Sequence, residues 1–295
     1  MLTTLIDWWD NIMRYELTPL LENILSSAPF TNPIPSDVWD YGEFSSWNEL
    51  ILDLISDIID DNVKKYFIDN EPEDFCSDNF SWLDHILRIN NKPNINVLAI
   101  LESRIRERFR AIRCYHATRA YDIKSFYDHG LLPLDPKQAQ DRIREIFLNN
   151  NFPEITDEIF DKAISDLNYY LEAKKNAGET GINFVLNKYI LLGSHYLKAG
   201  SEYSQNIVRR LSSDNSMSER YLSIFTENSQ PILLICNIPL DMIPTRLINS
   251  LIRTSLYSAF RQLIEDMSSH IPDGGVVTND VVPPEHIIDH AMIPV

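Results

Sequence analysis

The chain has 295 residues, 44% of them hydrophobic, and a formal net charge of −17. This length and apolar content supply a folded core for one large domain or two small ones and exclude a disordered chain. The three cysteines, Cys76, Cys114 and Cys236, lie far apart, which excludes a Cys-rich zinc module and a disulfide framework and predicts a reducing, cytoplasmic location.

Neither a membrane span nor a secretory signal is expected. The apolar run from Ile232 to Cys236 is too short to cross a bilayer, and the N-terminus carries Asp7 and Asp10 without a basic lead segment.

Charge and tryptophan are concentrated in the first third of the chain. Residues 1–100 contain 18 acidic and 5 basic side chains and all five tryptophans, whereas seven of the eight glycines lie at or after Gly130. This composition predicts an acidic, Trp-rich helical region over 1–100 and a second domain over 101–295. The acidic region would repel nucleic acid and could dock a basic protein partner, while a solvated acidic helical layer explains the same composition.

Apolar spacing predicts the elements in chain order. In the first third it predicts helices over residues 3–25, 46–68, 81–90 and 94–111. In the rest it predicts helices over 121–129, 137–148, 156–174, 188–211 and 246–266, with the stretch of about 135–178 as a helical insertion. It also predicts strands over 112–118, 182–186, 231–238, 276–282 and 287–293. The expected fold class is α+β, with a mixed or antiparallel sheet preceded by an all-α region.

Three short motifs carry chemistry, and the first is Cys114–Arg119 followed by Asp122–Phe126 and Gly130–Leu134. It reads as a short strand with one polar histidine, a short helix and a Gly-Leu stop. Alternation along the strand places His116 and Thr118 on one face, where an imidazole can bond to ribose hydroxyls without a net charge. A structural histidine is the alternative.

This motif resembles the first catalytic element of ADP-ribosyltransferases and of their RNA 2′-phosphotransferase relatives. The resemblance implies an ADP-ribosyltransferase-like split sheet in which His116 binds the ribose of NAD, with Thr118 beside it. It also implies that Arg119 meets the pyrophosphate.

The second motif is Gly181–Leu186, followed by Tyr189, Tyr196 and Tyr203. Enzymes of the diphtheria-toxin and poly(ADP-ribose) polymerase type place a tyrosine after this strand, where its ring stacks on nicotinamide. By distance from Gly181 the resemblance favours Tyr196 over the other two, and a buried stripe of tyrosines is the alternative. Glu202 would hold a partner or a ribose hydroxyl, although an ordinary helix-start carboxylate explains it equally well.

The third motif, from Gly274 to Ile287, resembles the C-terminal strand of this superfamily, with the RNA 2′-phosphotransferase branch the closest. In classical transferases this strand carries a catalytic glutamate. Here Asn279 and Asp280 are the polar residues available and Glu285 follows the prolines, so Asp280 is the candidate third catalytic residue. The departure leaves transfer, hydrolysis and binding alone as alternatives.

The resemblance implies an NAD-dependent ADP-ribosyltransferase with NAD as co-substrate and an RNA, DNA or protein acceptor. The family's usual roles imply a bacterial toxin or an antiphage defence effector. Two alternatives remain: a degenerate transferase fold that binds NAD, ADP-ribose or a macromolecule, and a protein-interaction module that uses the acidic region.

Other chemistries have less support. The sequence contains no GxSxG, GxxxxGK[ST] or GxGxxG motif. His286 and His290 are four residues apart, but the surrounding pattern predicts a strand, on which they would not converge on a metal. The arginines between Arg104 and Arg113 would contact a nucleic-acid backbone if clustered, and a solvated surface is the alternative.

Overall fold

The computed structural model describes residues 23–27, 30–148, 152–177, 180–192, 194–265, 267 and 274–294. The helix predicted over 3–25, with Trp8 and Trp9, lies outside these residues except for 23–25, which are helical.

A six-stranded sheet forms the centre of the described chain. Five strands lie in the order β5-β3-β2-β4-β6, with antiparallel neighbours, and β1 pairs in parallel with β2. The strands are β1 Val38–Trp39, β2 Ala111–Ala120, β3 Ile182–Val185, β4 Gln230–Pro239, β5 Gly275–Thr278 and β6 Ile287–Met292. Because Ile232 to Cys236 are buried on both faces, β4 reads as a continuous apolar run.

Helices surround the sheet, and the α+β class is confirmed. The helices of the first part are α1 Asn48–Asp53, α2 Asp61–Asp69, α3 Ser81–Ile89 and α4 Val97–Arg108. Between β2 and β3 lie α5 Lys124–His129, α6 Pro136–Leu148, α7 Asp157–Ser165 and α8 Asn168–Asn176. The later helices are α9 Lys188–Leu191, α10 His195–Ala199, α11 Glu202–Arg209, α12 Asn215–Glu227 and α13 Thr245–Arg261.

Three apolar clusters hold these layers together. The largest joins α1–α4 and α13 to one face of the sheet and contains Trp39, Trp47 and Trp82. A second cluster joins the helical insertion to α11 and α12. A third covers the opposite sheet face around Tyr115 and Ile235.

The compositional boundary near residue 100 falls inside α4 rather than between two structural units. Trp39 and Ile112 belong to the same cluster, and Val38 pairs with Ala111 across β1 and β2. The acidic first third and the sheet therefore share one core.

Local signals explain where the helices depart from the sequence expectation. The segment predicted as one helix over 46–68 is two, because the Asp60 side chain accepts from the backbone N–H groups of Asn62 and Val63 and starts α2. Asp214 starts α12 in the same way, a helix that the apolar spacing did not reveal.

Within the described residues, no helix is long and apolar enough to cross a membrane.

Candidate active site at the divergence of two strands

The two strands that carry the first and second motifs separate soon after they meet. β2 pairs with β4 at ten positions but with β3 only at Tyr115 and Val185. Immediately after that pair, the His116 ring lies in the gap, with Nδ1 2.9 Å from the carbonyl oxygen of Asn183. A cavity of about 280 Å³ opens at this divergence.

Five residues singled out by the sequence line this one cavity: His116, Thr118, Tyr196, Glu202 and Tyr203. They come from β2, α10 and α11, while β3 and α8 supply other walls. The structure therefore brings the first and second motifs together.

The His116 side chain lines the cavity and keeps one ring nitrogen as a hydrogen-bond acceptor. A carbonyl oxygen can only accept, so Nδ1 donates to Asn183 and the neutral ring has its lone pair on Nε2. Burial lowers the pKa of His116 below its usual 6.5, and the bond to Asn183 opposes this only in part. The ring is therefore neutral at pH 7 and can accept from a hydroxyl.

The three candidate tyrosines differ in availability. Tyr196 is 45% exposed and lines the cavity, whereas Tyr189 is 47% exposed but lies outside the lining. Tyr203 is 1% exposed, and its hydroxyl accepts from Nε2 of Gln140 at 2.7 Å. Tyr203 thus serves mainly as core, and Tyr196 is the ring free to pack against a ligand.

Glu202 brings a charged carboxylate to the cavity. Tyr170 donates to its Oε2 at 2.9 Å, and the Lys174 ammonium lies 3.2 Å from the same oxygen. The bond from Tyr170 lowers the pKa of Glu202; burial opposes it and Lys174 adds to it. Sequence reasoning missed Tyr170 and Lys174, because no local pattern on α8 shows that it packs near α11.

Arg119 and Asp280 do not line this cavity. The Arg119 guanidinium donates to the carbonyl oxygens of Leu197, Lys198, Thr226 and Ser229 and to the Ser229 hydroxyl, which binds β2 to the ends of α10 and α12. Asp280 is exposed beyond the end of β5. Glu202 is thus the carboxylate that the described lining provides.

The arginines of the 104–113 run do not form one surface. Arg104, Arg106 and Arg110 pair with Asp57, Glu102 and Asp37, respectively. Arg113 is 4% exposed and donates to the Asn237 side chain. For Arg104, Arg106 and Arg110 this arrangement fits the alternative of a solvated surface, whereas Arg113 is buried in the sheet.

No cluster suited to a metal ion is present among the described His, Cys, Asp and Glu residues. His290 lies on β6 and accepts from, or donates to, the Tyr127 hydroxyl at 2.8 Å, and His286 lies in the 3₁₀ turn before that strand.

Comparison of the chain with protein-family models, with characterised proteins and with solved structures finds no match.

Proposed function

We propose that this protein is an NAD-dependent ADP-ribosyltransferase that modifies a macromolecule. The observation that carries the proposal is the convergence of His116, Tyr196 and Glu202 on the single cavity where β2 and β3 diverge. These three side chains supply a ribose-binding acceptor, an aromatic face and a negative charge. Those are the groups that cleavage of a nicotinamide–ribose bond requires.

The reaction follows from these roles. Nε2 of His116 accepts a hydrogen bond from a hydroxyl of the nicotinamide ribose, and the Tyr196 ring packs on nicotinamide. The bond between the ribose C1 and the pyridinium nitrogen breaks, its electron pair leaves with nicotinamide, and the Glu202 carboxylate stabilises the positive charge on the ribose. An oxygen or nitrogen of the acceptor then bonds to C1 and releases its proton.

The size of the cavity limits what it encloses. About 280 Å³ is near the lower end of the roughly 300–1,000 Å³ of small-molecule sites. In our proposal it takes the nicotinamide and its ribose, while the adenosine half of NAD lies along the open surface. Because Arg119 is committed to backbone carbonyls, we assign it no contact with the pyrophosphate.

Nicotinamide release from NAD, measured with and without cell extract, tests the proposal. We expect release by the wild-type protein and losses of about a hundredfold in H116A and E202Q, since each removes a group that acts on the transition state. Tyr196→Ala should also lose activity. Tyr189→Ala, which truncates an equally exposed tyrosine outside the cavity, should not.

One observation favours a second function: the carboxylate in the cavity, Glu202, comes from α11 rather than from β5. A transferase fold that binds NAD or ADP-ribose without cleaving it would accommodate this. Calorimetry, together with the nicotinamide assay, separates the two functions. A protein that only binds NAD takes it up with an affinity that H116A lowers, and it releases no nicotinamide.

The acceptor and the biological role are also proposals. Mass spectrometry of cellular RNA, DNA and protein after expression, searching for an added ADP-ribose, would identify the acceptor. A toxin or antiphage effector predicts that wild-type expression arrests growth and that H116A expression does not.

A basic protein bound to the acidic first third is best sought with the full chain, because this region shares its core with the sheet.

A further inference from the structure

The helical insertion contributes two side chains to the cavity. Tyr170 and Lys174, one turn apart on α8, both contact Oε2 of Glu202 in the first turn of α11. The Lys174 ammonium also lies 5.5 Å from the centre of the Tyr170 ring. The three side chains form one polar cluster in the cavity wall.

We propose that Tyr170 and Lys174 are positioning residues for Glu202, so that the helical insertion is part of the catalytic apparatus. This inference rests on the proposed function, in which Glu202 faces the ribose.

The contacts orient the carboxylate. Both fall on Oε2, so Oε1 takes part in neither contact, and in our proposal it is the oxygen that meets a ribose hydroxyl. A carboxylate held by two donors loses less conformational freedom when the ligand binds. The insertion is held against α11 by a buried cluster and by the hydrogen bond from Gln140 to Tyr203.

The contacts also keep Glu202 charged. The Tyr170 hydroxyl is the main cause that lowers the pKa of Glu202, and Lys174 and His195 lower it further against the effect of burial. Burial and Glu202 raise the pKa of Tyr170, so the phenol keeps the proton that it donates. Burial lowers the pKa of Lys174, but Glu202 and Tyr170 outweigh it and leave the pKa raised.

Tyr170→Phe removes one hydroxyl and tests the role. Tyr169→Phe makes the same change at a neighbouring side chain that is 83% exposed. We expect Y170F to lower kcat for nicotinamide release about tenfold with KM little changed, because a hydrogen bond to a charged group is lost. The acid limb of its pH profile should move to higher pH, because the pKa of Glu202 rises. Y169F should match the wild-type protein.

Lys174→Met, with the exposed Lys175→Met as its control, should give a smaller change in the same direction. A carbon-13 titration of the Glu202 carboxyl group provides a measurement that does not need turnover, and Y170F should raise its pKa.

The two possible failures are distinguishable. A wild-type protein that releases no nicotinamide contradicts the proposed function. Wild-type release that Y170F leaves unchanged, or a Glu202 pKa that Y170F does not raise, overturns the positioning role alone.

Discussion

The imidazole of His116 bridges β2 and β3 through the carbonyl oxygen of Asn183, 2.9 Å from Nδ1. The bridge lies where the backbones have stopped pairing, one residue beyond Tyr115 and Val185. Its ring also packs 5.7 Å from that of Phe184. The sequence left a structural role and a ligand-binding role as alternatives for His116. One side chain can serve both, because Nδ1 bonds to Asn183 and Nε2 remains as an acceptor for a ligand.

This bridge predicts both the tautomer and the titration of His116. Nitrogen-15 spectra should show a neutral ring protonated on Nδ1, with a pKa below 6.5 because burial disfavours the charged form. Below pH 6.5 the unfolded state takes up this proton before the folded state does. The contribution of His116 to the free energy of unfolding is therefore fully present above pH 6.5. It is lost as the pH falls through the pKa that His116 has in the folded state. A His116 that is protonated on Nε2, or that titrates above 6.5, contradicts the assignment.

Arg119 is predicted to act on stability rather than on ligand affinity. Arg119→Met should lower the free energy of unfolding by about 3 kcal/mol, because it leaves carbonyl groups at the ends of α10 and α12 without their charged donor. Urea unfolding measures this, and Arg88→Met on the exposed face of α3 should change it by less than about 0.5 kcal/mol. Equal effects of the two substitutions would show that the carbonyl contacts contribute little.

The sequence predicted five of the six strands because their signals are local. The expectation of an all-α first region was wrong: β1 has only two residues, Val38 and Trp39, too few to show a period, and it joins the sheet by pairing with β2. β2 and β4 are marked by runs of mostly apolar residues. His116 and Thr118 both line the cavity, but so do Tyr115 and Ala117, so the period of two alone does not explain the lining. The choice among the tyrosines was not local. On one continuous helix Tyr189, Tyr196 and Tyr203 would share a stripe. Here the helix is interrupted between α9 and α10 and again at Gly200, so the three tyrosines lie on three separate helices.

The contacts of Glu202 and Arg119 could not be predicted from sequence. Tyr170 is 32 residues from Glu202, and their contact depends on how the insertion folds back on α11. The carbonyl partners of Arg119 are 78 to 110 residues away and belong to helix ends, which no side-chain pattern reveals. Both contacts depend on long-range packing, which for Arg119 puts backbone carbonyls where the pyrophosphate was expected.

Two glycines provide a matched test of backbone strain near the site. Gly130 and Gly200 have φ of +78° and +77°, with ψ near −160°, a region that residues with a Cβ rarely adopt. A Cβ at Gly200 would meet only the Arg119 side chain at 3.7 Å, whereas one at Gly130 would lie 2.0 Å from the carbonyl oxygen of Val282. Thermal or urea unfolding should therefore show a loss of about 1–3 kcal/mol for Gly200→Ala and a larger loss for Gly130→Ala. A Gly130→Ala protein no less stable than Gly200→Ala would be inconsistent with this packing.

The shared core predicts that the acidic first third and the sheet unfold together. Every tryptophan lies in the first hundred residues, so tryptophan fluorescence reports on that part of the chain. Ile238→Ala in β4 removes a fully buried side chain from the cluster that also holds Trp39 and Trp47, and it should cost about 2–5 kcal/mol. The fluorescence midpoint in urea should fall together with the midpoint from circular dichroism, although the substitution lies in the second part of the chain. Ile288→Ala, at an exposed position on β6, should leave both midpoints nearly unchanged. If Ile238→Ala lowers the dichroism midpoint but leaves the fluorescence midpoint unchanged, the two parts of the chain unfold as independent units, as the composition alone suggested.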